Sequence, residues 1–241
     1  MGARSSSPIT NQNLTMVAYE KLKQAIVRNQ LRTGNCISGN KIAKKLNMSR
    51  TPVREAIQLL EKEGLVEIQN GVGFFVRQLT IKEMQEITEV RKLLECAALR
   101  ASVEYFTQDS IQHLIDLWVS AKKNLSTRDQ AQLETIRQLD SQTHNFLTHH
   151  CNNSYLIEIL TSIDVRSTRI QYLSVDSHNV DGAVDQHVEI LEALLQHDIA
   201  RAVDLLEKHI YFAVTYLQSH PYLLDYGSGF YISDTDLDNI F

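Results

Sequence analysis

The chain has 241 residues, 43% of them hydrophobic and 22% charged, with a net charge of −5. That balance fits one or two packed domains and excludes a disordered or fibrous protein. No apolar run reaches the ~18 residues that a membrane-spanning helix needs, the opening MGARSSSPIT lacks the apolar core of a secretion signal, and Cys36, Cys96 and Cys151 show no paired spacing; a cytoplasmic chain with reduced thiols is expected.

The net charge hides a division. Residues 1–77 hold 12 Lys+Arg against 5 Asp+Glu, a net of +7, and residues 78–241 hold 12 against 24, a net of −12. A basic head on an acidic body suggests that only the head approaches a polyanion.

In chain order, residues 1–13 are polar and non-periodic, a flexible arm. Leu14, Val17, Ala18, Leu22 and Ile26 recur at helical spacing, and Gly34 ends that pattern. Ser38 can cap a short helix carrying Ile42, Ala43 and Leu46, closed at Asn47, which tolerates a left-handed turn. A third helix begins at Ser49 or Thr51, with Pro52 in its first turn and one apolar stripe of Val53, Ala56, Ile57 and Leu60; Gly64 stops it. Val66 and Ile68 then alternate with polar residues. Asn70-Gly71 suits a two-residue type I′ hairpin turn, and Phe74 to Val76 supply the returning strand. Three helices and a hairpin in this order predict a winged helix-turn-helix over 14–77.

From Thr80 to about residue 220 helical periodicity is unbroken by proline, with six helices expected at 80–106, 109–125, 129–150, 153–173, 182–196 and 199–219, and with Asp109 and Asp198 at N-cap positions. The fold class is therefore mainly α: a winged head, and an antiparallel helical bundle over 80–220. The segment 221–241 is a non-periodic tail whose structure the pattern leaves open.

The third helix carries the reading chemistry. Ser49, Arg50, Thr51 and Arg54 lie at its N-terminal end, off the apolar stripe. A recognition helix enters the major groove by that end, hydroxyls suit phosphate, and an arginine fork suits guanine. Lys41, Lys44 and Lys45 on the preceding helix suit backbone phosphates, and the Asn70-Gly71 tip suits an adjacent groove. The bland alternative is a small helical domain with solvated arginines. The stretch SRTPVREAIQLLEKEGLVEI followed by NGVGFFV resembles the DNA-binding head of GntR-family regulators over about 14–77. The resemblance implies base or phosphate contacts from Arg50 and Arg54, phosphate contacts from Ser49 and Thr51, and a wing tip at Gly71. Two positions depart from the pattern: Asn40 stands where DNA-contacting members often have Arg, and Asn47 where the turn glycine usually is.

All nine histidines lie beyond residue 110. Asp140 and His144, at i and i+4, share a helix face. His187 lies about ten residues before the turn near His197-Asp198 and His209 about eleven after it, so an antiparallel hairpin sets them at one level. One carboxylate and three imidazoles suit Zn, Ni, Fe or Mn. Helical histidines are more commonly exposed or hydrogen-bonded, so spacing leaves both readings open. The stretches RKLLECAALRA, DSQTHNFL with CNNSYL, and HVEILEALLQHDIARAVDLLEKHI are similar to the FCD sensor domain of the FadR-type GntR subfamily. That resemblance implies a metal at Asp140, His144, His187 and His209. It also implies a pocket-facing Arg91 for an anionic effector, where the alternative is an ordinary i,i+4 salt bridge to Glu95.

No HExxH, GxSxG or phosphate-cradling glycine loop is present. The reading is therefore a non-enzymatic, homodimeric regulator on a palindromic double-stranded DNA operator; the family resemblance implies that it is a repressor, controlled by a small organic or sugar acid beside a divalent transition metal. A metal-dependent enzyme and an effector-independent DNA-binding protein are the alternatives.

Overall fold

The computed structural model describes residues 11–176, 178–224 and 232–241. Its contacts divide the chain into two units, residues 1–79 with 225–241, and residues 80–224.

The first unit is organised by the stripe on its third helix. Helix α1 (Asn11–Val27) and helix α2 (Gly39–Lys45) both pack on α3 (Arg50–Lys62), which buries Pro52, Val53, Ala56, Ile57 and Leu60. Burial of Val53, Ile57 and Leu60 contributes roughly 1.5–3 kcal/mol each, enough to hold a 7-residue helix such as α2 that would not stand alone. Asn47, between α2 and α3, has φ +53, the left-handed conformation read from its residue type. Ser38 and Ser49 take the N-cap positions of α2 and α3 without a side-chain cap bond. The Ser49 hydroxyl is thus not consumed by its own helix.

Strands β1 (Cys36–Ile37), β2 (Val66–Gln69) and β3 (Gly73–Val76) form an antiparallel sheet in the order β1-β3-β2. The two-residue β1 is too short to show a sequence alternation, and the hairpin expected from the pattern is the larger part of this sheet. The turn also differs from expectation. Gln69 pairs with Gly73, three residues intervene, and Val72 N–H donates to the Gln69 carbonyl. Only Gly71 of the central pair has positive φ (+81), whereas type I′ needs it at both. Asn70 thus keeps an ordinary φ and Gly71 takes the position that requires glycine.

The second unit is a bundle of α4 (Ile81–Ser102), α5 (Gln108–Lys123), α6 (Gln130–Thr148), α7 (Ser154–Ser174), α8 (Val180–Leu195) and α9 (Ile199–Ser219). A short 3-10 turn at Val103–Tyr105 follows α4. Polar caps set the helix starts: Thr80 with Glu83, Thr107 with Ser110, Asp129, Asn153 and Asp198. Asp198 caps as expected. Asp109 does not, because Thr107 closes a capping box two residues earlier and leaves Asp109 in the first turn, where an acid still suits the helix dipole. Trp118 of α5 is fully buried in the main core with Leu99, Ile136, Ile190, Leu191 and Leu206. No helix among the described residues is long and apolar enough to cross a membrane.

The expected arm over 1–13 lies outside the described residues up to residue 10, and residues 11–13 already belong to α1. In the tail, a 3-10 turn (Pro221–Leu224) and a short helix α10 (Asp234–Ile240) are formed.

Gly73 is the most constrained position of the wing. Its φ is +153, and a Cβ there would lie 2.7 Å from the Ile37 carbonyl oxygen. Gly73→Ala is expected to cost about 1–3 kcal/mol, measured by denaturant unfolding; an unchanged midpoint would contradict this close approach of β1 to β3.

Candidate metal centre and nucleic-acid face

Helix periodicity aims four side chains at one point. Asp140 and His144 lie one turn apart on α6, His187 on α8 and His209 on α9, all buried. One ligand atom from each lies within 4.8 Å of every other. The His187 and His209 rings are 4.2 Å apart, and the His144 ring is 5.2 Å from His209 and 5.7 Å from His187. The spacing about the His197-Asp198 turn therefore does set His187 and His209 at one level.

The outer nitrogens decide what the inner ones offer. His187 Nδ1 lies 2.7 Å from the Ala183 carbonyl, His209 Nδ1 2.8 Å from Gln186 Oε1, and His144 Nδ1 2.7 Å from Glu95 Oε2. All three partners accept hydrogen bonds, so each Nδ1 carries the proton and donates it. In the neutral ring Nε2 is then a bare lone pair. These lone pairs converge on Asp140: its Oδ1 lies 3.1 Å from His187 Nε2, 3.7 Å from His209 Nε2 and 4.0 Å from His144 Nε2. Nε2 of His144 and of His187 are buried without a hydrogen-bond partner. Burial, and next the neighbouring His187, push the His209 imidazole down to about 3, so it stays neutral. Lone pairs facing a carboxylate in a dry core repel unless a cation sits among them. The donor set fits a divalent transition metal, and the Nδ1 bonds are the outer support that orients imidazole ligands.

Glu95 links this cluster to Arg91. Its other oxygen accepts from Arg91 Nε at 2.7 Å, and both residues are buried. Burial pushes the Glu95 carboxyl up, but Arg91 and His144 hold it down at about 2, so it remains an anion. Arg91 is therefore the salt-bridge partner that i,i+4 spacing allows. Because that bond uses Nε, among the described residues no bond occupies its two terminal nitrogens. Beside them lies a cavity of about 230 Å³, lined by Arg91, His144, Asn145, Thr148, Ser167 and Gln171 among others. One wall of the cavity is thus an imidazole of the four-residue cluster.

Sequence spacing singled out neither Gln186 nor Trp118, which stacks on His187 at 4.2 Å while donating to Thr143. Gln186 immediately precedes His187, and adjacency to a candidate ligand was the one signal available. Glu95 was legible only as a partner for Arg91; its bond to His144 spans 49 residues and needs the fold.

In the first unit, Ser49, Arg50, Thr51 and Arg54 are all exposed. Arg50, Thr51 and Arg54 line an open groove of about 1050 Å³ whose other wall is the Asn70-Gly71 tip; Asn40 lines it too. Glu61 of α3 braces that wing by accepting from Ile68 N–H at 3.2 Å. Of the lysines, Lys44 is exposed, whereas Lys41 donates to the Ile232 carbonyl and Lys45 pairs with Asp238.

Two family models match the chain: bacterial regulatory proteins of the gntR family over residues 14–76, and the FCD domain over residues 86–212. The chain belongs to the GntR family of bacterial regulators and carries an FCD domain. It is a DNA-binding transcription regulator. It is 24% identical to the HTH-type transcriptional repressor RspR of Escherichia coli strain K12 over 78% of this chain and 81% of that protein. It is 28% identical to the gluconate operon transcriptional repressor of Bacillus subtilis over 80% of each. The E. coli McbR/YncC structure shares the fold with a TM-score of 0.73 at 22% identity, covering 86% of this chain and 98% of that one.

The site makes one stability difference sharp. An exposed i,i+4 pair contributes about 0.3–0.5 kcal/mol, but Glu95→Ala leaves Arg91 buried and unpaired. The expected cost is about 3–5 kcal/mol, read by denaturant unfolding, and a cost under about 1 kcal/mol would mean the pair is effectively solvated.

Proposed function

We propose that this regulator is a homodimeric, metal-loaded repressor released from a palindromic operator by a small organic or sugar acid. The observation that carries the sensor half is the convergence of three Nε2 lone pairs on Asp140, two of them buried without a partner. Asp140, His144, His187 and His209 would hold a divalent transition ion. When bound, such an ion would supply positive charge and a Lewis-acid partner for a ligand oxygen.

This chain's own residues supply the rest. The terminal nitrogens of Arg91 present a fork for a carboxylate, and Asn145, Thr148, Ser167 and Gln171 offer partners for hydroxyl groups. A polar cavity of this kind favours an oxygen-rich acid over an apolar ligand. In the head, Arg50 and Arg54 face the groove where base edges would lie, and Ser49 and Thr51 stand where phosphate would. Two heads on a two-fold axis match a palindrome. Effector control requires that the acid prefer one arrangement of the two heads over the other. The relatives named as repressors support the repressing sense. The family, with its DNA-reading head, favours a regulator over a metal-dependent enzyme.

The test is metal content and its effect on stability. Purified wild-type protein should hold about one transition ion per chain by elemental analysis, and ion at about 100 times its Kd should add about 2.7 kcal/mol of stability. His187→Ala should lose both the ion and the stabilisation. A variant that keeps full occupancy, or a wild type that no transition ion stabilises, would overturn the metal reading.

A further inference from the structure

The end of the chain belongs to the first unit, where it lies on the lysine-bearing helix. Ile232 N–H donates to the Cys36 carbonyl at 3.3 Å, along the edge of β1 that does not face β3. The Ile232 carbonyl accepts from Lys41 Nζ at 3.4 Å. A capping box at Ser233 and Asp236 then starts α10, which packs on α2 and pairs Asp238 with Lys45. Ile232 and Leu237 are buried, at 8% and 2% exposure. Segment 232–241 holds three aspartates and no lysine or arginine.

Lys41 and Lys45 are one turn apart on α2, so they share a face. In a helix-turn-helix the first helix crosses the DNA backbone, and cations there meet phosphates. The tail offers the same two cations a carbonyl and a carboxylate. A half-solvated ion pair holds little by itself. The burial of Ile232 and Leu237 supplies the grip that keeps the acidic segment in place.

We propose that Ile232–Phe241 is a built-in acidic competitor for DNA: it occupies Lys41 and Lys45 and lowers the head's affinity for duplex until phosphate displaces it. This rests on the reading of α2 and α3 as the DNA face. It gives the protein a means of suppressing non-specific binding. Mixed-sequence DNA engages the head only through the phosphate contacts that the tail leaves open and does not displace it, whereas an operator adds base contacts that offset its loss.

The test is binding of a labelled mixed-sequence duplex to the full-length protein, by fluorescence anisotropy across a salt series. Asp238→Asn leaves the fold's apolar anchors intact and frees the Lys45 charge. One added phosphate contact steepens the salt slope by about 0.9 and tightens binding by a factor of roughly eight at about 0.1 M salt. Lys45→Ala alone should leave affinity unchanged, and adding it to Asp238→Asn should return binding to the wild-type value. Equal affinity and slope for wild type and Asp238→Asn would overturn the proposal. So would Lys45→Ala weakening the wild type as much as it weakens Asp238→Asn, since DNA would then already use Lys45. Lys44→Ala, at the exposed phosphate-facing lysine of α2, separates the two failures: if it weakens binding while Asp238→Asn does nothing, the tail proposal falls and the DNA face stands; if Lys44→Ala does nothing, both fall.

Discussion

The helical unit depends on where three protons sit. Ala183, Gln186 and Glu95 each offer an acceptor to one imidazole Nδ1, and each thereby turns the opposite nitrogen into a lone pair aimed at Asp140. Four electron-rich groups inside a helical core cost stability unless a cation joins them. That cost would be a liability in a purely structural bundle. In a metal site it is preorganisation, because the ligands need not reorient when the ion arrives.

From that point outward the structure reads as one connected set of contacts. His144 faces Asp140 through one nitrogen and Glu95 through the other; Glu95 holds Arg91; and Arg91 and His144 both line the 230 Å³ cavity. An acid in that cavity would touch Arg91 and the His144 edge of the four-residue cluster together. Its binding energy would then depend on the relative placement of α4, α6 and α7, the helices whose residues line the cavity. Preference for one such placement is the physical requirement for an effector that shifts the heads. At the other end of the chain, the head shows the opposite design. Arg50, Thr51 and Arg54 line an open groove, while two of its three α2 lysines are engaged by an acidic segment.

Much of this was legible from spacing because helices repeat every 3.6 residues. The i,i+4 pair Asp140 and His144, and the placement of His187 and His209 at matched distances from the Asp198 cap, needed only that period and one turn. The stripe on α3 was equally direct. What spacing did not show was long-range. The pairing of β1 with β3 rests on two residues; the bond of Glu95 to His144 joins α4 to α6; and the tail meets α2 across 191 residues, from Ile232 back to Lys41. Local misreadings had local causes. Asn70-Gly71 can serve either as both central residues of a two-residue loop or as the centre of a type II turn, and the register Gln69 with Gly73 selects the second. Thr107 displaced Asp109 as the cap because Ser110 completes its reciprocal bond.

The most direct test of the central claim is the tautomeric state of the three imidazoles in metal-free protein, read by ¹⁵N NMR of the histidine ring nitrogens. Protonated Nδ1 and bare Nε2 are expected for His144, His187 and His209 alike. Protonated Nε2 on these rings would mean that they donate to Asp140 instead, and that the cluster is an internally satisfied hydrogen-bond network with no call for a metal.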